Sequence, residues 1–299
     1  MEHFAAKIIN GKLIFNLLNS TQDLKFKFLE SSKLSRFTKI EESSGKVLHQ
    51  YSCFLQTDQS RKATKDIIIP KESDYNAVIV ENRILPHTEF IIRNAIEKLD
   101  YRWSHTLVCN KKSYNKMLNF CKNINEKINV IAFEINEIDQ ASYNNLLLSR
   151  EFWNFLKSEH LLIYQQDSIM FRDGIEEFLN YDYIGAPWMQ GQSENSLGVG
   201  NGGFSLRKRS AMLRCLDKQK PQDCRQGDSV KQYMKSVGLN QIPEDVFFSK
   251  TLIDLNLGNV ANSQIANGFS QERVPSKDPL GGHQYWLASM PIQLLGRKK

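Results

Sequence analysis

From Tyr75 onward the sequence alternates short β-branched apolar runs with amphipathic stretches, and this alternation constrains the fold more than any other feature. Ala77-Val78-Ile79-Val80 has the continuous apolar character of a strand buried on both faces of a parallel sheet. Phe90, Ile91, Ala95, Ile96 and Leu99 then recur near a period of 3.6, as on one face of a helix. His105-Thr106-Leu107-Val108-Cys109 reads as a second strand, residues 114–121 as a second helix and residues 128–133 as a third strand. A helix over residues 146–156 carries Phe152 and Trp153, and Leu161-Leu162-Ile163-Tyr164 is a fourth strand running into Gln165-Gln166-Asp167. Strands alternating with helices predict βαβ units, hence an α/β fold with a mixed, mostly parallel sheet flanked by helices.

Residues 1–73 follow a different pattern. Leu24-Lys25-Phe26-Lys27-Phe28 alternates with period two, and Lys12-Leu13-Ile14-Phe15 and Val47-Leu48-His49-Gln50-Tyr51 suit strands as well. Polar breaks such as Glu41-Glu42-Ser43-Ser44-Gly45 separate them. The expected organisation is therefore a small β-rich N-terminal extension, 1–73, and a main domain, 74–299. The Arg61-Lys62-Ala63-Thr64-Lys65 stretch reads as a solvated linker between them.

The composition narrows the function. Of 299 residues, 41% are apolar and 24% charged, as in folded water-soluble proteins. Thirty-nine basic against 33 acidic residues leaves a scattered +6 with no basic block, which argues against a nucleic-acid partner but leaves room for a local site for a phosphorylated ligand. No apolar run is long enough for a membrane span, and Met1-Glu2-His3-Phe4 does not open a secretory signal. Five cysteines, odd in number and with no CxxC pair, read as free thiols of a reducing compartment, so the cytoplasm is the expected location.

No phosphate-binding P-loop is present, and Glu81-Asn82-Arg83 stands where a dinucleotide oxidoreductase would carry its glycine fingerprint. Four other places could carry chemistry. Asp167 lies at the carboxyl end of a strand, where open α/β sheets bind ligands; it suits a metal or a ribose, and equally a turn. Gly200-Asn201-Gly202-Gly203 allows close approach of a ligand, with Ser205 expected to cap a following helix whose free N–H groups would meet an anion. Glu244 and Asp245 follow Pro243 in what reads as a first helical turn, where one carboxylate could serve as a general base. His283, after two glycines, is either a hydrogen-bonded loop residue or a metal ligand. Trp188, in the aromatic segment 181–188, could stack on a sugar or fill the core; Arg83 could reach a diphosphate or pair on the surface; and Arg207, Lys208 and Arg209 read as mostly solvated helix residues.

Taken together and in order, Tyr164-Gln165-Gln166-Asp167, the 181–188 segment, Gly200-Asn201-Gly202-Gly203-Phe204-Ser205-Leu206-Arg207, Pro243-Glu244-Asp245-Val246-Phe247-Phe248 and Gly282-His283-Gln284-Tyr285-Trp286 resemble the DUF5672 family, over about residues 74–290. That family is similar to GT-A glycosyltransferases. The resemblance implies a GT-A-like, Rossmann-like fold. It also implies transfer of a sugar from a nucleotide-sugar donor, a UDP-sugar foremost, to the hydroxyl of a glycan or other acceptor, assisted by Mn²⁺ or Mg²⁺. By the same resemblance Asp167 and His283 are the metal ligands, Asp167, Arg83, Trp188, Gly200, Asn201, Gly202 and Gly203 line the donor or acceptor, and Glu244 and Asp245 are catalytic, with Asp245 the base of an inverting displacement. Gln165-Gln166-Asp167 keeps only the last acid of the Asp-x-Asp motif of such enzymes. The alternative this departure raises is a nucleotide-sugar-binding protein without turnover.

Overall fold

The computed structural model describes residues 3–9, 12–18, 34–188 and 199–288, with side chains from residue 45 onward apart from Ser229. The chain divides into two compact units, Met1–Ser44 and Gly45–Lys299. In the first, β1 (His3–Ile9) and β2 (Lys12–Leu18) form an antiparallel hairpin with His3 opposite Leu18. The strand read around Lys12 is therefore present, whereas Leu24-Lys25-Phe26-Lys27-Phe28 lies outside the described residues.

The expected strand Val47-Leu48-His49-Gln50-Tyr51 is instead part of α1 (Leu34–Leu55). Its buried positions are Gly45, His49 and Cys53, one helical turn apart, while Val47 is 49% exposed; the period is that of a helix. Arg61, Lys62 and Ala63 do not form a free linker but close α2 (Thr57–Ala63). Arg61 pairs with Glu89, and buried Arg93 donates to Thr64 Oγ1 at 2.7 Å.

The main unit then runs β3 (Tyr75–Val80), α3 (Thr88–Lys98), β4 (Trp103–Asn110), α4 (Tyr114–Ile124) and β5 (Asn129–Phe133). The single helix expected over 146–156 is two, α5 (Gln140–Leu147) and α6 (Arg150–Phe155). Ser149 separates them, its hydroxyl accepting from the Phe152 N–H as an N-cap does. Next come β6 (His160–Tyr164), β7 (Ser168–Met170), β8 (Tyr183–Pro187) and β9 (Val199–Lys208). Four helices follow: α7 (Arg209–Lys218), α8 (Asp228–Val237), α9 (Glu244–Asp254) and α10 (Ser263–Phe269). Strands β10 (Ser270–Gln271) and β11 (Gly281–His283) come last.

The main sheet has the order β5-β4-β3-β6-β9-β8. β5, β4, β3 and β6 are parallel, and β9 runs antiparallel to both β6 and β8. The chain winds outward from β3 to β5, then crosses to start again at β6 on the other side of β3. That reversal opens a crevice at the carboxyl ends of β3 and β6, the place where sheets of this kind receive ligands. A second sheet, β10-β11-β7, sits beside this end, with His283 of β11 opposite Ser168 of β7.

Alternate residues of each strand serve the two faces. Ala77, Ile79, Leu162, Tyr164, Phe204 and Leu206 enter one core with α3, α4 and α10. Val78, Val80, Leu161 and Ile163 enter the other with α5, α6, α7 and α9. The Gly-rich segment thus belongs to a central strand, and Ser205 caps no helix. Its hydroxyl donates to the Gly202 carbonyl and accepts from Arg207 Nε. α7 begins only at Arg209, so the expected anion site at a helix start behind the glycines does not form.

The same alternation turns Arg207 inward. It is wholly buried, not solvated, and its guanidinium grips both carboxylate oxygens of Glu244. The rings of Tyr183, Phe248 and Trp153 surround it at 4.9–6.0 Å. Removing one member of a buried pair strands the other charge, at a cost of about 3–5 kcal/mol, whereas replacing both with apolar groups is often nearly neutral. Arg207→Met is therefore expected to lose about that much stability, and Arg207→Met with Glu244→Leu to regain most of it, as read from denaturant unfolding.

Candidate functional site

Four elements converge on the crevice. β6 ends at Tyr164, and the turn after it carries Asp167. Gln284 fixes that turn twice: its N–H donates to the Asp167 carbonyl and its Nε2 to Asp167 Oδ2, at 3.0 and 2.9 Å. Gln284 holds this position with φ +44°, a left-handed conformation seldom adopted by residues other than glycine and asparagine. The other oxygen, Asp167 Oδ1, lies 3.4 Å from Nε2 of His283, and Nδ1 of the same ring is 3.8 Å from Glu272 Oε1.

Burial alone would deny His283 a proton, but the carboxylates of Asp167 and Glu272 outweigh it and raise the pKa of the ring. Burial likewise opposes charge on Asp167. The neighbouring His283 and the Gln284 amide reverse that and hold its carboxyl well below the usual range. Glu272 is pushed upward by burial, with His283 acting against the shift.

The glycine pair in β9 is what lets these groups approach. A Cβ on Gly203 would lie 2.4 Å from the His283 ring, and one on Gly202 only 2.5 Å from Glu244 Oε1. Gly203 also secures the Asp167 turn, its carbonyl accepting from the Gln165 N–H at 3.1 Å and from the Ser168 hydroxyl at 2.8 Å. On the other side the Gly202 N–H donates to Asp245 Oδ2 at 3.0 Å. One dipeptide therefore touches both the Asp167–His283 pair and the Glu244–Asp245 pair. Gly200 has φ +133°, and Trp188, half-buried, lies against it. Asn201 turns its side chain back to accept from the Gly203 N–H.

Asp245 opens α9 beside Glu244. Burial raises its pKa to about 7, and the Glu244 charge adds to the shift; Arg207 and the N–H groups of Val246 and Gly202 restrain it. Glu244 has no oxygen to spare, since both face Arg207. Arg83 lies just past β3 and is bound through Nε and Nη2 to buried Glu81, its own side chain 58% exposed.

The structure thus brings Asp167, Gly202, Gly203, Glu244, Asp245 and His283 together, puts Gly200, Asn201 and Trp188 along the same strand end, and leaves Arg83 at the rim. Arg207, Glu272 and Gln284 also belong to the site and were not read as such from the sequence. For Arg207 a signal existed, because strand parity from Gly203 through Ser205 points it inward. Among the described residues, no group of three or more His, Cys, Asp or Glu is arranged to hold a metal ion. The five cysteines are free and buried. No helix among the described residues is long and apolar enough to cross a membrane.

An aspartate in an unfolded chain releases its proton near pH 4, whereas Asp245 keeps its proton to about pH 7 in the folded protein. Between these values the folded state binds more protons, so this group lowers stability as pH rises, by up to about 1.4 kcal/mol per pH unit. Asp245→Asn is expected to flatten that part of the stability curve, as seen in denaturant midpoints compared between about pH 4.5 and 7.

No curated protein matches the sequence. Among solved structures the chain is loosely similar to the apo form of glycosyltransferase GlyE from Streptococcus pneumoniae TIGR4, at 10% identity and a TM-score of 0.40 over 71% of this chain and 54% of that one. It is likewise similar to mouse xyloside xylosyltransferase 1 in its apo form, at 11% identity and a TM-score of 0.42 over 70% and 96%. For S. aureus TarS 1-349 the identity is 10% and the TM-score 0.41, over 70% and 60%. The chain thus spans about half the length of the pneumococcal protein. Residues 127–283, just over half of the chain, match the family model described as Protein of unknown function (DUF5672), and the chain belongs to that family.

Proposed function

We propose that the protein is a glycosyltransferase that moves a sugar from a nucleotide-sugar donor to an acceptor hydroxyl, with Asp245 as general base and inversion at the anomeric carbon. The observation that carries this reading is the Gly202–Gly203 step, which sets a carboxyl poised near neutrality beside the Asp167–His283 pair at the switch point of the sheet.

In this reading the acceptor oxygen attacks the anomeric carbon, the bond from that carbon to the diphosphate oxygen breaks, and the acceptor proton passes to Asp245. A base with a pKa close to the working pH is both ionised often enough and basic enough for this task. Gly202 and Val246 fix the Asp245 carboxylate through their N–H groups. Glu244 acts indirectly: tied to Arg207, it anchors the first turn of α9 and adds the negative charge that keeps Asp245 basic.

Asp167 and His283 suit a divalent cation. The atoms that would hold it are Asp167 Oδ1 and His283 Nε2, which lie 3.4 Å apart. Glu272 faces the other ring nitrogen, and Gln284 holds the other carboxylate oxygen, the outer support such ligands usually have. With only these two protein ligands, such a cation would depend on the bound donor and solvent for the rest of its shell. When bound, Mn²⁺ or Mg²⁺ would neutralise the charge of the departing diphosphate. Arg83, at the rim on the carboxyl end of β3, is placed to meet the donor, and Gly200, Asn201 and Trp188 border the sugar.

The test is release of nucleoside diphosphate from a panel of nucleotide sugars, UDP-sugars first, with Mn²⁺ present. Wild type is expected to turn over one donor class and Asp245→Asn to lose about 10²–10⁴-fold in kcat. The rate should rise with pH toward a plateau with a midpoint near the Asp245 value of about 7. Equal release by both proteins removes Asp245 as the base. Donor-dependent thermal stabilisation without release, even with acceptors supplied, would favour a nucleotide-sugar-binding protein.

A further inference from the structure

The buried stripe of α1 reaches the turn that carries Asp167. His49 is 1% exposed, and its ring stands between two segments of the site. Nε2 lies 3.1 Å from the Gln166 carbonyl and Nδ1 3.2 Å from the Tyr285 hydroxyl. A carbonyl only accepts, so Nε2 carries the hydrogen. Burial lowers the pKa of the ring, which leaves Nδ1 to accept from Tyr285. The histidine is held in one tautomer and bridges the turn to the residues that follow β11.

These bonds close a ring. His49 donates to Gln166, the residue before Asp167; the Asp167 carbonyl accepts from the Gln284 N–H at 3.0 Å; and Gln284 is followed by Tyr285, whose hydroxyl returns to His49. Packing joins the same segments. A Cβ on Gly45, one turn before His49, would lie 2.3 Å from the Trp286 ring, and that ring is 5.3 Å from the His49 ring. Tyr285 meets His49 edge-on at 5.6 Å and Phe171 at 5.2 Å. Cys53, one turn after His49, places its sulfur 3.7 Å from Nδ1.

Gln284 needs such a frame. Its φ of +44° is strained for a residue with a side chain and persists only where the surroundings over-determine it. Asp167 holds Gln284 itself, while Tyr285 and Trp286, seated on α1, hold the residues that follow. The turn is held in the same way, with Gln284 on residue 167 and His49 on residue 166. His283 comes just before Gln284, so the 3.4 Å between Asp167 Oδ1 and His283 Nε2 is governed by a ring that α1 closes.

We infer that His49 is a positioning residue of the site: by donating to Gln166 and accepting from Tyr285 it sets Asp167 against His283. On this inference α1, which lies outside residues 127–283 of the family match, is part of what would hold a divalent cation. The cation rests on the transferase reading above; the seating of Asp167 against His283 does not.

The experiment takes two readings on the full chain. One is the side-chain nitrogen NMR signals of His283 in metal-free protein at fixed pH, assigned by their loss in His283→Asn. The other is the affinity for Mn²⁺ alone, from electron paramagnetic resonance of the free ion. His49→Leu removes both hydrogen bonds. It should displace the His283 signals and weaken Mn²⁺ binding about tenfold, the lower end of what loss of an outer support costs. His49→Gln, whose amide N–H can replace Nε2–H toward Gln166, should recover most of both. Cys53→Ala loosens the same helix face and keeps both bonds, so it should lower the unfolding midpoint and move neither reading. Unchanged readings in His49→Leu overturn the proposal. So does equal movement in Cys53→Ala, which reduces the histidine to packing, or a Gln variant no better than Leu. If His49→Leu does not fold, Tyr285→Phe, which deletes only the bond to Nδ1, decides: displaced His283 signals sustain the proposal, and wild-type signals overturn it. If wild type binds no Mn²⁺, the cation reading falls, and the His283 signals decide the positioning by the same comparisons.

Discussion

A guanidinium buried in the middle of a sheet leaves the chain little choice about what stands next to it. Arg207 lies on β9 among Tyr183, Trp153 and Phe248, and charge in such surroundings is tolerated only when paired. Glu244 answers it from the first turn of α9, which draws the start of that helix onto the sheet. The helix arrives so close that β9 has no room for a side chain at Gly202, and the bare N–H there meets Asp245. The position of Asp245 follows from the neutralisation of one arginine, and burial there makes the carboxyl reluctant to ionise. The pair's value in this fold is its geometry, since buried ion pairs contribute little net stability.

The other half of the site depends on topology. Because the sheet reverses its winding between β3 and β6, the carboxyl end of β6 is left open and the turn carrying Asp167 is exposed to a crevice. His283 and Gln284 come to that turn from the short second sheet, where β11 pairs with β7 just beyond Asp167. The two halves meet at Gly202 and Gly203, each of which lacks a side chain for a different reason: the first must clear Glu244 and Arg207, the second the His283 ring.

The architecture was legible where apolar periodicity carried it. The runs at 77–80, 105–109, 128–133 and 161–164 are all strands, because burial on both faces leaves no period but continuity. Legibility failed where polar residues decided. Val47, His49 and Tyr51 suggested alternation, yet the buried stripe runs Gly45, His49, Cys53. The glycines before Ser205 suggested a turn into a helix, yet they lie in a strand, bare so that neighbouring side chains fit against them. Asp167, Asp245 and His283 stood out as isolated polar residues next to structural punctuation. Glu272 and Gln284 did not, and the role of Arg207, whose inward turn strand parity does carry, comes like that of Gln284 from a partner more than thirty residues away, a distance no local pattern encodes.

The clasp between Gln284 and Asp167 joins residues 117 positions apart in the chain. All six strands of the main sheet are already present by Lys208, so the scaffold and the crevice can assemble before that clasp closes. Contacts of such long sequence separation are entropically the most demanding to form and tend to form late. The seating of residues 281–285 is thus the contact that completes the site chemically on a sheet whose strands all precede it in the chain.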